Sequence, residues 1–191
     1  MRDWENDSER VLAECTELGN PVFVKPARSG SSRGTSKAKN LKELKTAINF
    51  AFEFDNKILV ESAINGREIE CAVLQINGVA VASPLGEIKV LGDHEFYDFE
   101  AKYLDNSMQL VVPAQLDGAV LEQIKDLALR AFKAANCSGL ARVDFFYSDK
   151  GEIFINEINT MPGFTPTSVY PKLMQQIGIS YSELITKLLS A

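Results

Sequence analysis

Residues 139–168 read GLARVDFFYSDKGEIFINEINTMPGFTPTS, and this stretch decides the reading of the chain. It has the pattern of two β-strands joined by a tight turn and followed by a Pro-Gly loop. Side chains alternate faces along a strand, so Arg142 and Asp144 share one face of the first strand, and Glu157 and Asn159 one face of the second. The turn at Ser148-Asp149-Lys150-Gly151 carries the Asp and Gly of a hairpin. With an even number of loop residues, even positions of the first strand lie opposite odd positions of the second. Arg142, Asp144, Glu157 and Asn159 then gather on one surface, and Val143, Phe145, Phe154 and Ile158 form a core face on the other.

Two carboxylates and a carboxamide oxygen converging in this way suit a hard divalent cation. Mg²⁺ takes oxygen ligands and fills its remaining positions with water or substrate phosphates. Arg142 beside the acids is cationic at any working pH and suits an anion or a developing oxyanion. Taken alone, the same residues also fit a solvated sheet face with cross-strand Arg–Glu pairs.

Composition narrows the classes. The chain has 191 residues, enough for one domain or two small lobes, and 46% hydrophobic with 24% charged residues is ordinary for a globular protein. A net charge of −6 argues against general affinity for nucleic acid or anionic membranes, so local groups must hold any bound phosphate. Cys15, Cys71 and Cys137 are scattered without metal-ligand spacing and read as reduced core residues. The charged start MRDWENDSER is no signal peptide, and no apolar run approaches membrane length, which points to a cytoplasmic protein.

Along the chain, Ser8 to Leu18 has a helical stripe, and Pro21 to Pro26 (PVFVKP) reads as a short strand whose bounding prolines favour an edge position. Ala27 to Gly34 (ARSGSSRG) is a Gly/Ser loop able to wrap a phosphate with backbone N–H groups and hydroxyls, although it lacks the Gly-Lys-Ser/Thr ending of a Walker A loop. Thr35 to Lys39 reads as a returning strand, making the loop a hairpin flap. Lys25 beside it suits a phosphate, or else discourages edge aggregation. Asn40 with Glu43 starts a helix with Leu41, Leu44, Ile48, Ala51 and Phe52 on its core stripe. KILVE (57–61) is expected as a buried strand, and EIECAVL opens another at Glu68. Glu61 and Glu68 bracket the connector between, where a cleft between lobes would lie, although either also fits a surface acid. Asn77-Gly78 is a hairpin turn, after which the sheet is expected to be antiparallel. Residues 92–103 read as a loop bearing His94 and Lys102. A strand at 109–113 and a helix over Asp117 to Asn136 follow, and Ser180 with Glu183 caps a last helix.

The set VKPARSGSSRG, VESAINGREIE, FYDFEAKY, GLARVD and INEINTMPGFTPTS, in this order, resembles the D-alanine–D-alanine ligases of the ATP-grasp superfamily. The resemblance implies an α+β ATP-grasp fold in two lobes, with residues 1–66 as a partial central subdomain and 67–191 as the C-terminal domain. It implies ATP as nucleotide and two Mg²⁺ ions, with Mn²⁺ as a substitute. ATP would phosphorylate one D-alanine carboxylate, and the amine of a second D-alanine would attack it to give the dipeptide used in peptidoglycan.

By the same resemblance, Lys25 contacts the nucleotide phosphates and Ser31 and Ser32 belong to the flap over them. Glu61, Ser62 and Ile64 form the adenine connector, Glu68 holds the ribose, and Phe96 and Lys102 belong to the nucleotide site. Asp144, Glu157 and Asn159 are the metal ligands, and Arg142 steadies the tetrahedral transition state. Gly163 and Ser168 belong to the second D-alanine subsite, and Ser31 and Tyr103 orient the closing loop. Tyr103 also favours the dipeptide over an ester product. Arg33 stands where a small aliphatic residue is common, and the family's N-terminal domain has no counterpart here. The chain therefore reads as the nucleotide-binding portion of a homodimeric enzyme, expected to bind Mg-nucleotide but to form little dipeptide alone. The alternatives are another carboxylate–amine ligase on the same scaffold and a non-catalytic nucleotide-binding module.

Overall fold

The computed structural model describes residues 1–90 and 108–190. They divide into two units, one built on Met1–Ile64 and the other on Asn65–Lys89 with the residues from Gln109 on.

The first unit begins with α1 (Arg2–Asn6) and α2 (Ser8–Thr16), the latter capped by the Asp7 carboxylate, which accepts from Arg10 N–H at 3.0 Å. Strands β1 (Val22–Pro26), β2 (Ser36–Ala38) and β3 (Ile58–Ser62) form an antiparallel sheet in the order β2-β1-β3, with α3 (Leu41–Phe52) packed on it. Val22 and Val24 point into a core with Leu12 and Cys15 of α2 and Leu44, Ala47, Ile48 and Ala51 of α3. The Asn40 side-chain Oδ1 accepts from Glu43 N–H at 3.0 Å, and the Glu43 carboxylate accepts from Lys39 N–H at 2.8 Å, so the helix starts where its cap places it.

Three expectations change here. The proline-bounded β1 is the central strand and not an edge. Its prolines stand outside or at the end of the ladder, where a missing N–H interrupts no interior bond. The edges fall instead to β2 and β3, and β3, expected to be buried, is only partly so, with Leu59 exposed. Leu41 is exposed in the first turn of α3, and Ala47 completes the stripe in its place.

The second unit comprises β4 (Gly66–Ile76), β5 (Val79–Ala82), β6 (Gly86–Val90), β7 (Met108–Val111), α4 (Gly118–Ala134), β8 (Leu140–Ser148), β9 (Ile153–Asn159), α5 (Val169–Gln175) and α6 (Tyr181–Leu189). The six-stranded sheet runs β7-β6-β4-β8-β9, with β5 pairing the far half of β4. Asn77 and Gly78 both have positive φ, which turns β4 into β5 within two residues.

Helix α4 covers one face of this sheet. Its Ile124, Ala128 and Phe132 pack on Ile69, Cys71, Val73, Ala141, Val143 and Phe145, the odd positions of β4 and β8. On the other face α5 and α6 cover Ala72 and Leu74, with Ile76 and Leu140 partly buried beside them, through Tyr170, Leu173, Met174 and Leu184. The capping box at Ser180 and Glu183 starts α6 as the sequence indicates. Burial on both faces explains the unbroken apolar run Cys71 to Leu74. At the near end of β4, a Cβ on Gly66 would run into the Tyr147 carbonyl oxygen, so glycine is what lets β4 and β8 meet. Strand β6 has no counterpart in the sequence reading, because its Glu87 is a carboxylate in a core position. The side chain is buried with both oxygens 2.8 Å from the Arg67 guanidinium, and Arg67 also donates to the Gln115 carbonyl at 2.7 Å.

Candidate functional site

On the face of the large sheet that α5 and α6 pack against, the strip beside them carries the expected polar residues. In the β8–β9 ladder Arg142 stands opposite Asn159, and Asp144 opposite Glu157, so the four expected residues share one face. Beyond them the register shifts between Asp144 and Phe145, a bulge that adds one residue to β9. The extra residue moves Phe154 opposite Phe146, onto the face of Asp144 and away from the α4 core. Phe154 is accordingly exposed, which corrects its expected place in the core. Ile153 and Ile158 fall on the core side of the bulge.

Arg142 lies flat against the carboxylates. Its Nε and Nη2 donate to the two oxygens of Asp144, both at 2.7 Å, and its Nε lies 3.2 Å from Glu70 Oε2. Glu70 and Asp144 are directly opposite in the β4–β8 ladder, and each is 2% exposed. Like charges so placed repel, and the guanidinium between them makes the arrangement tolerable. Burial disfavours the charged guanidinium, but the hydrogen bonds to Asp144 and the charges of Asp144, Glu70 and Glu157 outweigh it and hold the group protonated beyond its ordinary range. Asn159 Oδ1 accepts from Met161 N–H at 3.2 Å, which fixes the amide at the strand exit.

Glu70 was not anticipated as part of this site. The signal was present in Glu68-Ile69-Glu70, since alternation puts both acids on the face of Arg142. Glu68, the expected ribose ligand, lies on β4 opposite Phe146 and Ile88.

Among the described residues, no group of three or more His, Cys, Asp or Glu side chains makes a complete metal cage. Asp144, Glu157 and Asn159 instead offer a partial set of hard oxygen donors. Such a set fits Mg²⁺, which keeps several positions for water and phosphate.

In the loop after β9, Gly163 and Ser168 come together. A Cβ on Gly163 would lie 3.2 Å from Ser168 Oγ, which in turn accepts from Thr165 N–H at 3.0 Å. Tyr170 O–H donates to the Val73 carbonyl at 2.9 Å and Tyr181 O–H to the Phe164 carbonyl at 2.8 Å, fastening this loop to the sheet and to α6.

The first unit holds the other expected set. Lys25 Nζ lies 2.7 Å from Glu61 Oε2 across the β1–β3 ladder, so the two are partners rather than separate surface charges. Ser31, Ser32 and Gly34 all have positive φ, a run that makes the flap a chain of tight turns. Its near end is clamped by Arg28, which donates to both oxygens of Asp55 and to Asn56. At its far end a Cβ on Gly34 would press on the Phe54 ring and Pro26, and Arg33 stacks over the same ring at 5.9 Å. Ser62 Oγ donates to the Leu18 carbonyl at 2.9 Å, and Ile64 ends the first segment of this unit. Phe96, Lys102, Tyr103 and His94 lie outside the described residues.

A family model described as "D-ala D-ala ligase C-terminus" matches residues 1–190. The chain is 56% identical over 176 residues to the D-alanine–D-alanine ligase of Caldicellulosiruptor bescii, covering 92% of this chain and 48% of that one. It is 48% identical over 190 residues to the ligase of the same name from Deinococcus radiodurans, covering 98% and 55%. Among solved structures, the VanG D-Ala:D-Ser ligase from Enterococcus faecalis superimposes with a TM-score of 0.83 at 40% identity, over 97% of this chain and 53% of that one. The chain thus spans about half the length of the curated relatives it matches. It belongs to the D-alanine–D-alanine ligase family, as its C-terminal, ATP-grasp portion.

Proposed function

We propose that this chain is the nucleotide- and Mg²⁺-binding portion of an enzyme that joins two D-alanines at the expense of ATP through an acyl-phosphate. One observation carries the proposal: Arg142, Asp144, Glu157 and Asn159 share a sheet face, with Asp144 opposite Glu157. Asp144, Glu157 and Asn159 would hold Mg²⁺, which when bound neutralises charge on the transferring phosphoryl group. Arg142, on the same face, is placed for the oxyanion that develops when an amine attacks the acyl group, where a fixed cation is worth most in a dry site. Each Asp144 oxygen already accepts one bond from Arg142, so a metal would share these oxygens with the guanidinium or displace it.

Lys25 would meet the phosphates once nucleotide draws it from Glu61, and the backbone N–H groups around Ser31 and Ser32 would close over them. Glu61, Ser62 and Ile64 would line the adenine, with Phe96 beside them, and Glu68 would take the ribose hydroxyls. Lys102 would add a phosphate contact. Gly163 and Ser168 would form the subsite for the second amino acid, and Ser31 and Tyr103 would orient the loop that closes over it.

A calorimetric titration with ADP, with and without Mg²⁺, tests the binding half of the proposal. Binding that needs Mg²⁺ and is lost in Glu157→Gln supports it, and Mg²⁺-independent binding overturns it. Phosphate release with added D-alanine tests the catalytic half. The isolated chain should give little, and adding the N-terminal half of a relative should raise it. The likeness to a D-Ala:D-Ser ligase supports D-serine as the competing second substrate in the same assay.

A further inference from the structure

We propose that Glu70 is a positioning residue for Arg142, a second carboxylate that keeps the guanidinium on the sheet when Asp144 turns its oxygens to a cation. The inference rests on the metal-binding reading above, and its test separates the two.

In the structure Arg142 spends its best bonds on Asp144, with Nε and Nη2 at 2.7 Å from the two oxygens. A cation on Asp144 competes with the guanidinium for the same two oxygens and their charge. It also places positive charge next to the guanidinium, which must then move away or be held by something else. Glu70 Oε2 is already 3.2 Å from the same Nε, and the side chain is 2% exposed, so water does little to weaken its field.

Topology gives the second part of the argument. Strand β8 lies between β4 and β9, with Glu70 on the β4 side and Glu157 and Asn159 on the β9 side. Leaning toward Glu70 therefore carries the guanidinium away from the donors that would hold the metal. It stays on the same face, at the height of Asp144, because Glu70 and Asp144 are directly opposite. Opposite Arg142 itself, β4 places Ala72, and its small side chain cannot hold the cation in Glu70's stead. Glu70 thus lets one arginine serve two states, bridging both acids without metal and resting on Glu70 with it.

The test is a double-mutant cycle on Mn²⁺ affinity, read as free Mn²⁺ by electron paramagnetic resonance on the whole chain. Mn²⁺ binding abolished by Asp144→Asn establishes the metal site itself; binding indifferent to Asp144→Asn overturns that reading and this inference with it. Given the site, Glu70→Gln should weaken Mn²⁺ by about tenfold in the wild-type background, the size of a contact coupling. In an Arg142→Met background the same change should weaken it by about twofold or less, since Glu70 then has no guanidinium to hold. Equal factors in both backgrounds would show that Glu70 acts only through its field, and no change in either would show that it does not act; both results overturn the inference while leaving the metal site standing. Where Glu70→Gln does not fold, Glu70→Asp runs the same cycle, with about threefold expected in place of tenfold and the same criterion of non-additivity.

Discussion

Both sheets carry a basic side chain clasped by a carboxylate, but the two clasps differ in kind. Lys25 and Glu61 meet on the small sheet with 21% and 41% of their side chains exposed. Arg142 meets Asp144 and Glu70 on the large sheet with the acids almost sealed from water. An exposed pair is worth little and parts readily, whereas a buried one is costly to break because it strands a charge. On the proposed reading, the small sheet lends its lysine to an arriving phosphate at small cost. On the same reading, the large sheet holds its groups in fixed geometry until another charge takes a partner's place. A flap of tight turns beside the small sheet and a both-sides-packed β4 in the large one fit the same division.

Breaking the buried clasp should have the largest effect. Asp144→Ala leaves Arg142 half-paired in the interior and should cost about 3 kcal/mol of stability by urea unfolding; a loss below about 1 kcal/mol would put this pair in the same class as Lys25–Glu61. Next comes Gly66→Ala, which forces β4 and β8 apart at the Tyr147 carbonyl and should cost about 2 kcal/mol. A temperature midpoint equal to wild type would mean that the strand end gives way freely.

The pH dependence of stability sharpens the comparison within the large sheet. Hydrogen bonds from Arg67 hold the Glu87 carboxyl below its usual range, against the opposing effect of burial. A carboxylate whose pKa is lower in the folded state adds stability above its unfolded value of about 4.3 and loses it as pH falls through the folded value. The stability gap between wild type and Glu87→Gln should thus be full near neutral pH and shrink below about pH 4. A gap unchanged down to about pH 3 would contradict the pairing. The smallest stability effect is expected for Lys25→Met, under about 1 kcal/mol, while ADP affinity falls by about tenfold. A large loss of stability with unchanged affinity would reverse the roles assigned to the two sheets.

The site was legible because alternation along two strands is a local rule. Arg142, Asp144, Glu157 and Asn159 could be put on one face from spacing alone, and the ladder pairs them so. Phe154 could not, because a bulge inserts a residue without any mark such as glycine, and it reverses the faces for the rest of β9. The prolines around β1 mislead for a related reason. Whether a strand is central depends on which distant segments pair with it, here β2 and β3, and proline forbids only the missing N–H. Strand β6 escaped notice because Glu87 looks like a surface acid until Arg67, twenty residues earlier, is seen to neutralise it. Glu70 escaped for the same cause: a carboxylate's partner on a neighbouring strand is invisible in a single segment.

The central claim is that Asp144 and Glu157 hold a divalent cation through which nucleotide is bound. Calorimetric titration of ADP into wild type and Glu157→Gln, each with Mg²⁺ and then with the metal chelated, tests it most directly. The account predicts heat of binding only for wild type with Mg²⁺, and ADP binding of equal strength in all four titrations would contradict it.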